Sequence, residues 1–516
     1  MARLRAIRVM GAGLATTVAL SLGACGSSPD DGSDDGSLNA FDDDENDDLV
    51  GDGIGGKADG NGKYRVCEPI RSGKFALKGK IYTPTGLVTG WVVVDGEKIA
   101  EVRNTAPTGM TIVDTAGYIF PGLIDGHGHV EYNHIPLADL GRRYENRDQW
   151  PNAALYKTLV KDPKNAVTAA GLKCEALKHG ELRALVGGTT AIQGTPQTSC
   201  VRHLVRNLEQ PNFCQDKVRQ NVMGIPDFNR SISGKPSFAD SVKKDVADGK
   251  LDAVAVHCAE GIDEHARSEW DYVEKYGLDL PELVMIHAAG FTPAEFEASA
   301  DVGAKMVWSP LSNLLLYGKT ADVPTAMAAG LTVSLGSDWA PSGSANLLWE
   351  LKVADKVNKY LWNSSLTDKD LVNFVTINAA KVWALDEFIG TIEVGKYADF
   401  LVIDAPSSSS VTPERVLIDA KPKNVKLVTI SGDALFGDPK YLDALGKQGD
   451  YELIDACGVQ RAIDVTVTAA DVSKGKQKLA DVESKLLAVN PKLTPVIDCE
   501  NDEMDAAFKG TPLEGK

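Results

Sequence analysis

The chain of 516 residues predicts an α/β protein built on a TIM-like (β/α)8 barrel of parallel strands, and three observations lead there. Apolar runs of strand-like composition recur between amphipathic stretches, the alternation that a parallel sheet needs. Four of those runs end in side chains that bind metals or move protons, and strand ends are where such a barrel gathers its site. The length exceeds what one barrel of about 250 residues requires, leaving room for a second module and for tails.

The elements follow in order. Arg3, Arg5 and Arg8 precede an apolar run from Val9 to Leu22, too short to cross a bilayer as a mature helix and suited to a signal peptide. Leu22, Gly23, Ala24 and Cys25 resemble a bacterial lipobox, so residues 1–25 read as a lipoprotein signal with Cys25 as the lipidated first residue. An ordinary secretory signal with an incidental cysteine is the alternative. Each buried CH₂ of an acyl chain contributes about 0.8 kcal/mol, so the expectation is an exported protein anchored to a membrane on the periplasmic or extracellular side.

Residues 26–66 are rich in Asp, Gly and Ser, with DDDENDD at their centre. They have little apolar surface to bury and are expected to form a disordered acidic tether. A calcium loop is the other reading of so many carboxylates, but the spacing fits no EF-hand. The net charge of −18 argues against a nucleic-acid partner, which needs a basic face.

Residues 67–118 read as short alternating strands and turns, as in GKIYTPTGLVTGWVVVDGEKIAEV. The run PGLIDGHGHV then places His127 and His129 two residues apart. Side chains at i and i+2 of a strand project to one face, where two imidazoles can share a cation. After the turn-like GGTT, the run LDAVAVHCAEG stops at His257 with Glu260 three residues on, PELVMIHAAG stops at His287, and LTVSLGSDWAPSG reaches Asp338. Each residue alone fits a satisfied core polar group; the ordered set points to a site.

On these residues the chain resembles the amidohydrolase superfamily, in its branch of hydrolytic deaminases and chlorohydrolases acting on N-heterocycles. The resemblance rests on the HxH, on HCAE as that branch's HxxE, on the lone His287, on WSPLSN as its PxSN segment, and on GTIEVGKYADFLVID from Gly390 to Asp404. It implies a barrel over residues 119–384 beside a small β-sandwich made by residues 67–118 and 385–440, followed by a C-terminal extension over 441–516.

The resemblance also assigns roles. His127, His129, His257 and Asp338 would hold one divalent metal, zinc or iron, leaving a position for water. Asp338 would accept a proton, His287 would orient the nucleophile or polarise the substrate, and Glu260 would shuttle a proton to the ring nitrogen or leaving group. No lysine stands at a strand end before His257 to bridge two metals, so a mononuclear site is favoured. Ser312 and Asn313 match PxSN, while Trp308 and Trp339 offer faces on which a planar small-molecule substrate stacks, with core packing equally compatible. Deamination is the first functional reading. The alternatives are a cyclic amidase resembling imidazolonepropionase, an N-acyl amino acid or dipeptide hydrolase, and a surface lipoprotein that only binds. A homodimer is left open.

Of the eight cysteines, Cys457 and Cys499 are the first pair expected in an oxidising compartment, and Cys200 with Cys214 the second. Cys258 neighbours a ligand histidine on a strand, so its thiol is expected to point away and stay inert. His134 is expected on an exposed loop, with a place behind the metal ligands as the other reading. His179, His203 and His265 fall in helical stretches and read as structural.

Overall fold

The computed structural model describes residues 73–516 apart from 195–203, 210–217, 222–223, 232–235, 406–410, 467–476, 501–504 and 506. Before residue 73 it describes the short strands β1 (Gly51–Gly53), β2 (Gly56–Ala58) and β3 (Arg65–Val66). Cys25, the signal segment, His203 and the Cys200–Cys214 pairing lie outside the described residues. The three short strands form an antiparallel sheet within residues 26–66, the stretch expected to be a tether.

Eight strands run in chain order through the middle of the protein: β8 (Leu123–Asp125), β9 (Thr189–Ile192), β10 (Arg206–Asn207), β11 (Val218–Asn221), β12 (Ala253–Cys258), β13 (Leu283–His287), β14 (Lys305–Trp308) and β15 (Thr332–Leu335). All their pairings are parallel, in the sheets β10-β9-β8 and β11-β12-β13-β14-β15. The first and last strands also meet. Gly126 N donates to Leu335 O at 2.9 Å, and Gly128 bridges to Asp338 in parallel sense. Glycine is required at Gly126, where a Cβ would stand 2.7 Å from Ser334 Oγ and 2.9 Å from Leu335 O.

Alternation along these strands sets what faces what. Ile124, Ala191, Val218, Ala253, Ala255, Val284, Ile286 and Val307 share one apolar cluster. Their neighbours Val254, Val256, Cys258, Met285, Met306 and Trp308 belong to the cluster that includes the helices. Helices such as Lys173–Val186, Phe238–Ala247 and Leu347–Leu361 follow the strands.

The flanking segments pair as expected but make one continuous sheet rather than two. Its order is β19-β20-β18-β17-β16-β7-β4-β5-β6. The members are β4 (Lys74–Thr83), β5 (Gly86–Asp95), β6 (Lys98–Arg103), β7 (Thr111–Pro121), β16 (Phe400–Asp404), β17 (Val425–Ile430), β18 (Asp433–Gly437), β19 (Glu452–Asp455) and β20 (Gln460–Ile463). The antiparallel pairing of β7 with β16 sews the two flanking segments together. The sheet also runs past the boundary expected at 440, because β20 pairs with β18 and β19 with β20. Cys457 and Cys499 form a disulfide, as the sequence led us to expect.

Candidate active site

The ends of β8, β12, β13 and β15 bring the four expected ligands together with Glu260 and His287 in one cluster, buried but for the partly exposed His129. His127 and His129 lie just past β8, in the segment that the Gly128 bridge keeps aligned with Asp338. Their rings meet edge to face with centroids 4.7 Å apart, and the His257 ring lies 4.8 Å from that of His127. His127 Nε2 stands 3.4 Å from Asp338 Oδ1, and His129 Nε2 3.7 Å from the same oxygen. Ligands about 2.1 Å from one tetrahedral ion stand about 3.4 Å apart, so this spacing fits a divalent cation.

Hydrogen bonds behind the ring decide which nitrogen of His127 is free. Gln193 Nε2 donates to Glu209 Oε1 at 2.6 Å, which turns Gln193 Oε1 toward His127 Nδ1, 3.0 Å away. The proton of a neutral His127 is therefore on Nδ1, and Nε2 presents a lone pair. That Nε2 is buried and has no hydrogen-bond partner, the state of a nitrogen prepared for a metal.

The same logic separates His287 from the ligands, although its ligand atom also lies within 4.8 Å of those of His127 and His257. Trp308 Nε1, which can only donate, bonds Thr320 Oγ1 at 2.7 Å. Thr320 in turn donates to Asn313 Oδ1 at 3.2 Å, so Asn313 Nδ2 donates to His287 Nδ1 at 3.1 Å. With Nδ1 accepting, a neutral His287 carries its proton on Nε2 and offers no lone pair there. It is a donor, with Glu260 Oε2 3.7 Å away. Burial is the main cause that drives the pKa of His287 down to about 3, which keeps it neutral. His287 closes β13 with φ +76° and Ala288 follows at +47°, a left-handed path costly for both residues and common at functional sites. It interrupts the strand's alternation at the residue where the ring must join the cluster.

Asp338 also sits at positive φ, +59°. Burial opposes its charge, but the nearby imidazoles, His127 first and then His287 and His129, pull its pKa below the usual carboxylate range. Asp125 ties the two ligand segments together: its Oδ1 accepts from Ser337 N at 2.9 Å and from His127 N at 3.3 Å.

Glu260 lies two residues beyond β12. Its segment is held by the antiparallel bridge between Asn146 and Gly261 and by Arg147 N donating to Glu260 O at 3.1 Å. Burial raises its pKa to about 7, against the opposing pull of Arg147 and of the bond from Tyr317. Tyr317 Oη donates to Glu260 Oε1 at 2.7 Å and accepts from Trp150 Nε1 at 3.0 Å. One carboxylate oxygen is thus anchored, and the other faces His287.

Other expectations change. Trp308 is fully buried against Trp362, with ring centroids 5.1 Å apart; as the neighbour of inward Val307 on β14 it faces the helices, not the cluster. Trp339 does border the site, its ring 6.2 Å from His129 and packed on Tyr132, Trp150 and Tyr156. Ser312 shares a hydrogen bond with Ser342 Oγ at 2.9 Å. His134 is buried instead of exposed, with Asn490 Nδ2 3.2 Å from its Nδ1, because the C-terminal extension covers its loop. His179 is buried in its helix, and His265 is exposed beside Asp148. Cys258 is a free, buried thiol whose pKa burial pushes well up.

Gln193, Glu209, Asp125, Tyr317, Trp150 and Arg147 were not singled out from the sequence. Only YG after SNLLL and the acidic IDG before the HxH give any local signal; the other partners meet the site through the fold alone.

The chain belongs to the amidohydrolase family, whose model matches residues 118–435. A 5'-deoxyadenosine deaminase of Methanobrevibacter smithii is 28% identical over 201 residues, 37% of this chain and 46% of that protein, so the match spans about half of the relative. A 5-methylthioadenosine/S-adenosylhomocysteine deaminase of Halobacterium salinarum is 26% identical over 430 residues, 74% of this chain and 95% of that one. The solved structure of an adenosine deaminase from Xanthomonas campestris with bound zinc has the same fold, with a TM-score of 0.57 at 18% identity, covering 74% of this chain and 98% of that one.

Proposed function

We propose that this protein is a metal-dependent hydrolase that removes ammonia from an amino-substituted N-heterocycle. The observation that carries the reading is the convergence of His127, His129, His257 and Asp338 at strand ends, with Glu260 Oε2 3.7 Å from His287 Nε2 beside them. Relatives named as deaminases of adenosine derivatives support the class. One divalent ion, zinc or iron, fits His127, His129, His257 and Asp338; when bound it acidifies water and supplies a nucleophile at neutral pH.

The chain's own residues then divide the work. Asp338 accepts the proton that the attacking water gives up. Glu260 delivers a proton to the ring nitrogen next to the reacting carbon and takes back the proton that the new hydroxyl loses as the carbonyl forms, while Asp338 passes its proton to the departing amine. His287 donates from Nε2 to the oxygen entering at that carbon, held in its tautomer by Asn313. Trp339 borders the space in which a planar ring would lie.

The eight parallel strands are read as a closed barrel, supported by the bonds between the ends of β8 and β15. Cys25 is read as a lipid attachment site that holds an exported enzyme at a membrane. Ammonia release from purine nucleosides, pyrimidines and triazines, set beside ring opening of cyclic imides and cleavage of dipeptides and N-acyl amino acids, tests the reaction class. Release of ammonia from an aminated ring is expected; turnover of an imide or acyl substrate alone would replace deamination with amide hydrolysis.

A further inference from the structure

The family match ends at residue 435, yet residues beyond it reach the backbone next to the metal-ligand histidines. Asn133 and His134 follow His129 by four and five residues. Thr494 Oγ1 donates to Asn133 O at 2.8 Å, and Asn490 Nδ2 donates to His134 O at 2.9 Å. Buried Arg183 donates to the same Asn133 O at 2.7 Å and, through its other arm, to Asp498 Oδ2 at 2.7 Å. The Asn133 side chain carries the connection across: its Oδ1 accepts from Ala340 N at 2.9 Å, two residues past Asp338. Ala138 N donates to Pro341 O at 2.8 Å, a second tie between these two loops.

The segment that does this is fastened at both ends. Before it, the helix Leu479–Val489 packs Val482 and Leu486 on Val167 and Ala176. After it, Cys499 is bonded to Cys457, in the turn between β19 and β20 at the edge of the nine-stranded sheet.

We propose that residues 490–498 are a disulfide-fastened strap that positions the loops carrying His129 and Asp338, so that the metal site of this chain is completed by its C-terminal extension. Asn133 is the positioning residue through which the strap reaches both loops. The buried carbonyls of Asn133 and His134 need donors, and without the strap they lose Thr494 and Asn490. Removing partners behind ligands costs about 10- to 100-fold in metal affinity. The proposal rests on the reading that His127, His129, His257 and Asp338 hold a metal.

The test uses the full-length protein with both cysteines changed, Cys457→Ser and Cys499→Ser, compared with the parent with and without reductant. Cys174 is also disulfide-bonded, so the double variant, rather than reductant alone, isolates this bond. Amide exchange over residues 130–138 and the rate of zinc loss to a chelator are read together. Exchange should speed up in that stretch, and zinc should leave the variant about 10- to 100-fold faster. Should the double variant fail to fold, Asn490→Ser and Thr494→Val with the disulfide intact should give the same two changes in smaller degree. Parent-like exchange in a folded variant overturns the strap. Faster exchange with parent-like zinc loss overturns its role in holding the ligands. A parent that holds no zinc fails the metal reading instead, and the exchange result then decides the strap by itself.

Discussion

The two sides of the site are built on opposite electrostatic plans. Around β8 and β15, the bonds behind the ligands leave acceptors facing inward: Gln193 accepts the Nδ1–H of His127, whose Nε2 keeps its lone pair, and Asp338 presents a carboxylate. Around β12, β13 and β14 the surroundings keep protons in place: Asn313 leaves one on His287 Nε2, and burial keeps Glu260 near half-protonated at neutral pH. The first side, joined by His257 from β12, is suited to a cation and the second to proton transfer. What separates them is less the residue types, since both use histidine and a carboxylate, than what stands behind each one.

The sharpest break in that comparison is removal of a cation-side group. His127→Ala or Asp338→Ala should lose the metal and abolish ammonia release, measured by metal analysis of the purified protein and a turnover assay; activity with metal retained would place the cation elsewhere. Gln193→Ala, one step further back, should weaken metal binding by about 10- to 100-fold by a chelator competition.

On the proton side, Tyr317→Phe should retain metal and lower kcat about tenfold, the scale of one lost hydrogen bond to a charged group. Its signature is in pH. The Tyr317 bond lowers the Glu260 pKa, so its loss should move the corresponding limb of the kcat/KM profile upward; an unmoved limb would show that Tyr317 only packs.

The smallest effect concerns Glu350, which accepts from Leu311 N at 3.0 Å and also from Ser344 Oγ. Burial raises its pKa from 4.5 to about 8. A carboxyl with a folded pKa above its unfolded value contributes stability in full below about 4.3 and loses it as pH rises through about 8. The melting temperature should therefore decline across that window, and Glu350→Gln should flatten the decline by a few degrees.

How much of this was legible follows the same division. The HxH, HCAE, lone His287 and SD segments announce themselves because each closes an apolar run, and the fold places their side chains at strand ends. Trp308 misleads for a related reason: it also closes a strand, but on the outward parity, one residue past Val307. The groups behind the ligands are harder to read. Gln193 and Glu209, or Asn313 and Thr320, are ordinary polar residues until the fold sets them side by side. The burial of His134 could not be read because it depends on Asn490, 356 residues away. The flanking strands were legible as strands, whereas their joining into one sheet depends on the β7–β16 pairing between segments far apart in the chain.

The division of labour is tested most directly by Glu260→Gln, measured for bound metal and for ammonia release on the same preparation. A carboxylate that handles protons and does not hold the cation predicts a folded variant with one equivalent of metal and a kcat lower by about 10² to 10⁴, the range for loss of a general acid or base. Loss of the metal would make Glu260 a ligand, and turnover close to that of the parent would make it structural; either result contradicts the account.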